Sequence, residues 1–493
     1  MAAMISRRYL SSTTRLAASV KGAPEMPGCD FKPVAYKGLN MEETVKLRKS
    51  HLFPSTQSYA YYKKPLMIHQ GHMQWLWDHA GKRYLDMFAG IVTVSVGHCH
   101  PKVLAAAEGQ LKKLWHTTSI YMYPGLQEYV EKLTSKMPGN LKNVYLVNSG
   151  SEANDLAMLL ARLHSGCYDI IGLRSAYHGT SPNLLGLTAL STWHYNLPVG
   201  FGIHHTMNPD PYRGIWGGKY CRDSPVQTTR NCDCQSDKAC EAGNQYIAQL
   251  EDVLRFCCPK GRIGGMFAES IQGVGGTIQF PKTFLQRAFK IIRDHGGVCI
   301  SDEVQTGFGR TGEHYWGFEA HGVVPDIVTM AKGIGNGYPM AAVVTTPEIA
   351  KSLAAASHFN TFGGGPLACA IGSAVLDVID EEGLQQNCAK VGTHFLEGLA
   401  KLQENYEIIG DVRGKGLMVG VEMVKDRKSK TPLPAADMAE IWETTKDLGV
   451  LIGKGGYYGN VFRIKPPMCI TKEDVDFTLD VFKTALDRYS GKR

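Results

Sequence analysis

The sequence predicts an α/β protein with an open sheet, and three stretches predict it. Residues 263 to 302 read strand, helix, strand, with polar side chains collected at the carboxyl ends of the strands. Residues 144 to 164, VYLVNSGSEANDLAMLLARLH, read strand, tight turn, helix. Ile327 to Ala331 form a third short apolar run, stopped by Gly333, Gly335, Gly337 and Pro339, with one lysine, Lys332, at the break. An ammonium seldom ends a buried strand unless it is paired or bonded through its neutral amine.

Size and charge frame these elements. The chain has 493 residues, 44% hydrophobic and 20% charged, enough for a large core and two domains. Its net charge is +7, part of it from Arg7, Arg8, Arg15 and Lys21 in an opening stretch without acids. So weak a balance over the rest gives no sign of nucleic acid as a partner. Residues 1–24 are Arg- and Ser-rich and resemble a mitochondrial matrix presequence. No apolar run is long enough to span a membrane.

In chain order, residues 25–65 form an arm of no clear periodicity, expected to wrap over something. Residues 73–87 alternate apolar and polar about an Ala-Gly-Lys turn and predict a β-hairpin. The motif GHCHP, Gly97 to Pro101, precedes a helix expected over 102–115. His98 and His100 are expected to cap and pack that helix, not to bind metal, because the nearby sequence offers no carboxylate. In the next unit Leu156, Leu159, Leu160 and Leu163 predict one buried helical face. Its Asn-Ser-Gly-Ser turn suits a phosphate, through helix-start N–H groups and the Ser151 hydroxyl, and equally suits an ordinary capping box.

Thirteen cysteines, an odd count, are expected to be reduced thiols. Cys221, Cys232, Cys234 and Cys240 lie in a polar stretch and match no paired CxxC spacing. A solvated insertion loop over about residues 208–245 is therefore expected, with Cys257 and Cys258 nearby keeping a metal reading open. Beyond it, Glu269 ends one strand, a helix follows from about Pro281 to Asp294, and Val298 to Ser301 form a strand ending in Asp302 and Glu303. Asp302 and Lys332, at the ends of successive strands, can face one crevice. A phosphate cradle, an aspartate and a strand-end lysine are what pyridoxal phosphate needs: an anchor, a partner for its ring nitrogen, and an amine. After a helix from near Pro366, residues 383–405 predict another helix, GLMVGVEMV a half-buried strand, and Thr471 to Tyr489 a closing helix capped by Thr471 and Asp474.

From about residue 60 to the C-terminus the ordered motifs GHCHP, NSGSEAN, YHG, ESIQG, SDEVQTGFGRTG, DIVTMAKGIGNGYP, NTFGGGP and VRGKGL resemble the class III pyridoxal-phosphate aminotransferases. The resemblance implies the fold type I architecture, with a mostly parallel seven-stranded sheet in a large domain, residues 86–375, and a smaller α/β domain, 376–493, after an arm and hairpin, 25–85. It implies that Lys332 bonds to the cofactor, Asp302 binds the pyridine nitrogen, Gly150 and Ser151 hold the phosphate, Tyr177 stacks on the ring and Gln305 reaches its phenolic oxygen. Glu269 would shape the pocket. Thr361 would reach the cofactor of a neighbouring subunit in a homodimer, with further pairing to a tetramer left open. Arg413 would clamp the substrate carboxylate. Thr180 and Val274 stand where dicarboxylate-using branches tend to place an arginine and a glutamate, so a small monocarboxylic oxo acid is expected, with Arg413 left without an internal partner. Ile91 would supply an apolar wall for a short side chain. The implied reaction is ping-pong transfer from alanine to glyoxylate. Alternatives are β- or ω-amino donors such as 3-aminoisobutyrate, β-alanine and methylarginine, and a related phospho-lyase.

Overall fold

The computed structural model describes residues 22–57, 62–232 and 240–491. The expected presequence therefore lies, up to residue 21, outside the described residues, as does Cys234. The predicted hairpin is present: β1 (Ile68–His72), β2 (Trp75–Asp78) and β3 (Arg83–Asp86) are antiparallel neighbours. The arm crosses this sheet, with Phe31 stacked on His72 and Val34 N–H donating to Gln70. It also holds a helix the sequence reading missed, Met41–His51, capped by Asn40 and Glu43 but with no buried residue and so no apolar stripe to see.

Seven strands form the central sheet: β4 (Asn143–Val147), β5 (Ile170–Leu173), β6 (Ile203–Thr206), β7 (Gly265–Glu269), β8 (Val298–Asp302), β9 (Ile327–Met330) and β10 (Ala341–Thr345). Their order is β4-β10-β9-β8-β7-β5-β6, and only β10 runs antiparallel to its neighbours. The expected mostly parallel sheet is therefore present. Strands β7, β8, β9 and β10 are buried along their whole length, as a sheet covered on both faces requires. The register sets Glu269 beside Asp302, and Asp302 beside Thr329, so the ends of β7, β8 and β9 come side by side.

The helix Gly150–Ser165 corrects one expectation. Leu156 and Leu160 are buried, but Leu159 and Leu163 are exposed, and the covered face is completed by Ala153, Ala157 and Ala161. Small residues let the helix lie close to β9 and β10, so the contact stripe runs through alanines that a search for large apolar residues passes over. The helix after GHCHP spans Pro101–Leu111, with His100 as its cap. Carboxylates do reach the two histidines, Asp86 to His98 and Glu382 to His100, each singly and from distant sequence.

A further group comprises β11 (Ile409–Lys415), β12 (Met418–Asp426), β13 (Thr431–Pro432), β14 (Val450–Leu451), β15 (Gly453–Gly455) and β16 (Val461–Ile464). Strand β12 was expected to be half-buried. It is buried from Met418 to Val424, because it sits between β11 and β16 and Thr277 presses on Gly420. β14 leaves this group and pairs in parallel with β3, Val450 opposite Leu85. The closing helix, Lys472–Ser490, has the predicted Thr471 and Asp474 capping box.

Over its described residues the insertion is not a solvated loop. Cys221, Arg222, Val226, Thr228 and Cys240 are buried. Arg222 donates to both Asp411 oxygens, at 2.7 and 3.1 Å, and to the Val412 carbonyl, which docks the segment on β11. A polar composition hid this, because the burial depends on partners nearly two hundred residues away.

Candidate active site

A cavity of about 290 Å³ opens at the carboxyl ends of β7, β8 and β9. Its lining includes Gly150, Ser151, Tyr177, Glu269, Asp302, Gln305 and Lys332, so seven of the residues singled out in the sequence meet there. Ile91, Thr361 and Arg413 are not part of the lining.

The Gly150–Ser165 helix starts with Ser149 as cap, its side chain accepting from Glu152 N–H, while Glu152 accepts in return from Asn148 N–H. Ser149 is thus a real cap, but Glu152 accepts from Asn148 N–H and not from Ser149 N–H, so the expected capping box is only half formed, and the first-turn N–H groups of Gly150 and Ser151 are left without intrahelical partners, beside the cavity. Gly179 closes on this turn at φ +129°, and a Cβ there would stand 2.6 Å from Ser151 Oγ and 3.1 Å from Ser151 Cα. Gly179→Ala is therefore expected to weaken anion binding at the turn and to cost about 1–3 kcal/mol of local strain. Thermal unfolding with and without cofactor measures it, and an unchanged cofactor-induced shift would sink the cradle assignment.

Asp302 is held rigidly. Its Oδ2 accepts from Asn154 Nδ2 and meets His178 Nδ1, both at 2.8 Å, and its Oδ1 accepts from Val304 N–H at 3.1 Å. Asn154 is fixed in turn by Thr329 Oγ1, which donates to its Oδ1 at 2.7 Å. Sequence reasoning missed Asn154 and His178 as members of the site. Both sit inside motifs it did single out, one turn along from Gly150 and directly after Tyr177. Glu303 faces the other way, tied to Ser270, Thr306 and the N–H groups of Gly317 and Phe318, because successive strand residues point to opposite faces.

Lys332 makes no hydrogen bond through Nζ among the described residues. Burial pushes its ammonium below the ordinary lysine range; Asp302 and Glu269 oppose that shift, and Arg463 adds to it. Glu269 accepts from Tyr177 N–H and Gly273 N–H, and burial raises its carboxyl above the usual range. Gln305 accepts at Oε1 from Lys465, a fully buried lysine that burial holds well below its ordinary range. Arg463 and Lys465 lie on or just after β16, and nothing in their local sequence marks them.

Arg413 corrects a second expectation. It does not lack an internal partner: Nη1 donates to Asp411 at 3.1 Å, Nη2 pairs with Glu422 at 2.8 Å, and Nε donates to the Gly276 carbonyl at 2.9 Å. The missing glutamate at Val274 is made up from β11 and β12 themselves. Ile91 is 40% exposed at φ +67°, and Thr93, two residues on, takes the place in the lining.

A buried strand-end amine with a lowered pKa, a fixed carboxylate and an open helix start define a fold type I enzyme working through a carbonyl cofactor, and the donor set fits pyridoxal phosphate. The chain belongs to the aminotransferase class-III family, whose family model matches residues 57–486. It is 57% identical to the mitochondrial alanine–glyoxylate aminotransferase 2 of Homo sapiens over 98% of this chain and 93% of that protein. Among solved structures it resembles an amine transaminase of an uncultivated Pseudomonas species in its PLP-bound form, at 30% identity and TM-score 0.78, covering 89% of this chain and 97% of that one. It also resembles an Arthrobacter phospholyase in complex with phosphoethanolamine, at 30% identity and TM-score 0.80, covering 90% and 99%.

Proposed function

We propose that this aminotransferase moves the amino group of alanine to glyoxylate, giving pyruvate and glycine, in the mitochondrial matrix. One observation carries the reading: Thr180, whose N–H donates to Ser151 Oγ at 3.4 Å, offers a hydroxyl and not an arginine where a distal carboxylate would be met, so a dicarboxylic acid would bury its second charge unpaired, at a cost of several kcal/mol. The human relative's name points the same way.

When bound, the cofactor supplies a carbonyl that holds the amino nitrogen and a ring that draws electron density from the substrate Cα. The chain supplies the rest. Asp302, oriented by Asn154 and His178, presents a negative charge to the ring nitrogen. The Gly150 and Ser151 N–H groups anchor the phosphate. Lys332 Nζ, its pKa lowered by burial, would take the Cα proton of alanine and return a proton on the far side of the transferred nitrogen. After pyruvate leaves, glyoxylate enters and the same amine works in the opposite direction.

Arg413 is proposed to take the substrate carboxylate by exchanging it for Glu422 or Asp411, which replaces one ion pair with another. Thr361, exposed and absent from its own chain's cavity, is proposed to reach the site of a second copy in a homodimer. The division into an arm and hairpin, 25–85, a large domain, 86–375, and a small one, 376–493, is part of the same proposal.

A half-reaction panel tests the substrate. Purified holoenzyme mixed with single amino acids should lose the absorbance of its carbonyl-bearing cofactor quickly with alanine and at least about tenfold more slowly with glutamate, since a tenfold gap needs only ~1.4 kcal/mol. Faster conversion by glutamate would overturn the reading. Release of inorganic phosphate from phosphoethanolamine, without nitrogen transfer, would place the chain with the phospholyase instead.

A further inference from the structure

Lys465 is fully buried just beyond β16, yet packing does not account for its amine. Nζ donates to Gln305 Oε1 at 3.0 Å and to the Gly273 carbonyl at 3.4 Å, and it pairs with no carboxylate among the described residues. Burial weakens its hold on a proton, Arg463, Lys332 and Arg310 act in the same direction, and Glu269 opposes them. An apolar side chain of similar length would fill that place at lower cost.

Its partner faces the cofactor site. Gln305 is 6% exposed and lines the cavity, and its Nε2 makes no hydrogen bond among the described residues. The amide is held from two sides. Lys465 meets Oε1, and the bare backbone of Gly273 lies so close that a Cβ there would stand 2.3 Å from Oε1 and 2.5 Å from Nε2. Charged or neutral, a lysine has at least two N–H groups, enough for the two oxygens it meets. It thereby fixes which end of the amide is free. The reversed amide would set an N–H₂ against Lys465 and turn an oxygen to the cavity.

We propose that Lys465 is a positioning residue for the cofactor: by holding Gln305 Oε1 it makes Gln305 Nε2 a fixed donor to the cofactor's phenolic oxygen. Gln305 must reach that oxygen for this, as the resemblance implies, but the identity of the amino donor does not enter. A donor on the phenolic oxygen draws on the lone pairs that otherwise hold the proton of the neighbouring nitrogen, the one joined to Lys332. That nitrogen then loses its proton at a lower pH.

The experiment is a pH titration of the absorbance of lysine-bound cofactor in purified holoenzyme. Lys465→Met should keep the band and raise its midpoint by about one pH unit, the effect of one lost hydrogen bond. Gln305→Leu should raise it at least as far, and Lys465→Met added to Gln305→Leu should move it no further. A further rise in the double variant would mean that the lysine acts by its own charge, which overturns the proposal. An unmoved midpoint in Lys465→Met, with thermal stability alone changed, makes the lysine structural and overturns it as well. An unmoved midpoint in Gln305→Leu takes the amide away from the phenolic oxygen, and the proposal with it. Should Lys465→Met fail to fold, Gly273→Ala pushes on the free end of the flexible Gln305 side chain and should raise the midpoint in the same direction. No rise there overturns the proposal.

Discussion

Lys332→Ala is expected to abolish the absorbance of lysine-bound cofactor and to lower turnover by about 10⁴-fold, the upper range for loss of a positioned proton carrier. The expectation rests on the neighbours of the amine. Lys332 lines the cavity and its Nζ has no hydrogen bond among the described residues, so nothing competes with a carbonyl for it. Burial lowers its pKa, which raises the share of neutral, bond-forming amine at a given pH. The sign follows: activity should fall as pH drops through the lowered pKa, because protonation removes the nucleophile, and should recover as pH rises. The other buried lysine nearby, Lys465, is committed to Gln305 at 3.0 Å and to the Gly273 carbonyl at 3.4 Å. Lys465→Met should therefore keep the absorbance band that Lys332→Ala loses. If the band survives in Lys332→Ala, the assignment fails.

Asp302→Asn should lower kcat by about 10²- to 10³-fold, the usual range for removing one preorganised electrostatic contact. The amide keeps the shape of the side chain but brings no charge to a ring nitrogen, and it sets an N–H₂ against Asn154 Nδ2 or His178 Nδ1. The control is one residue away. Glu303→Gln removes a carboxylate of equal charge that accepts from Ser270, Thr306, Gly317 and Phe318, on the far side of the strand. Its effect should appear in thermal stability, with kcat changed only a few-fold. Equal losses of kcat in both variants would remove the special role given to Asp302.

The parts of the site that could be read from sequence are those held by local chemistry. Lys332, Asp302, Gly150 and Ser151 stand at strand ends and helix starts, where the order of strand, turn and helix decides position. The parts that could not be read depend on contacts over long separations. His178 and Asn154 matter because β8 brings Asp302 to them. Arg413 looked unpaired because its partner was sought near Val274, whereas Glu422 faces it from the next strand. The insertion looked wet because Arg222 reads as a surface charge until Asp411 is beside it. In the Gly150–Ser165 helix the burial ran through alanines, which hydrophobic patterning undercounts.

The parallel pairing of β14 with β3 has a consequence for synthesis. β3 ends at Asp86, and its neighbour on that edge, Val450–Leu451, is made only when most of the chain has already left the ribosome. Until then the hairpin sheet keeps an open edge, and an open edge is a template for pairing with other chains. Contacts of such long separation also form slowly. A chain cut short before residue 450 would carry that edge permanently, so premature termination late in the message should yield aggregates and not a smaller folded protein.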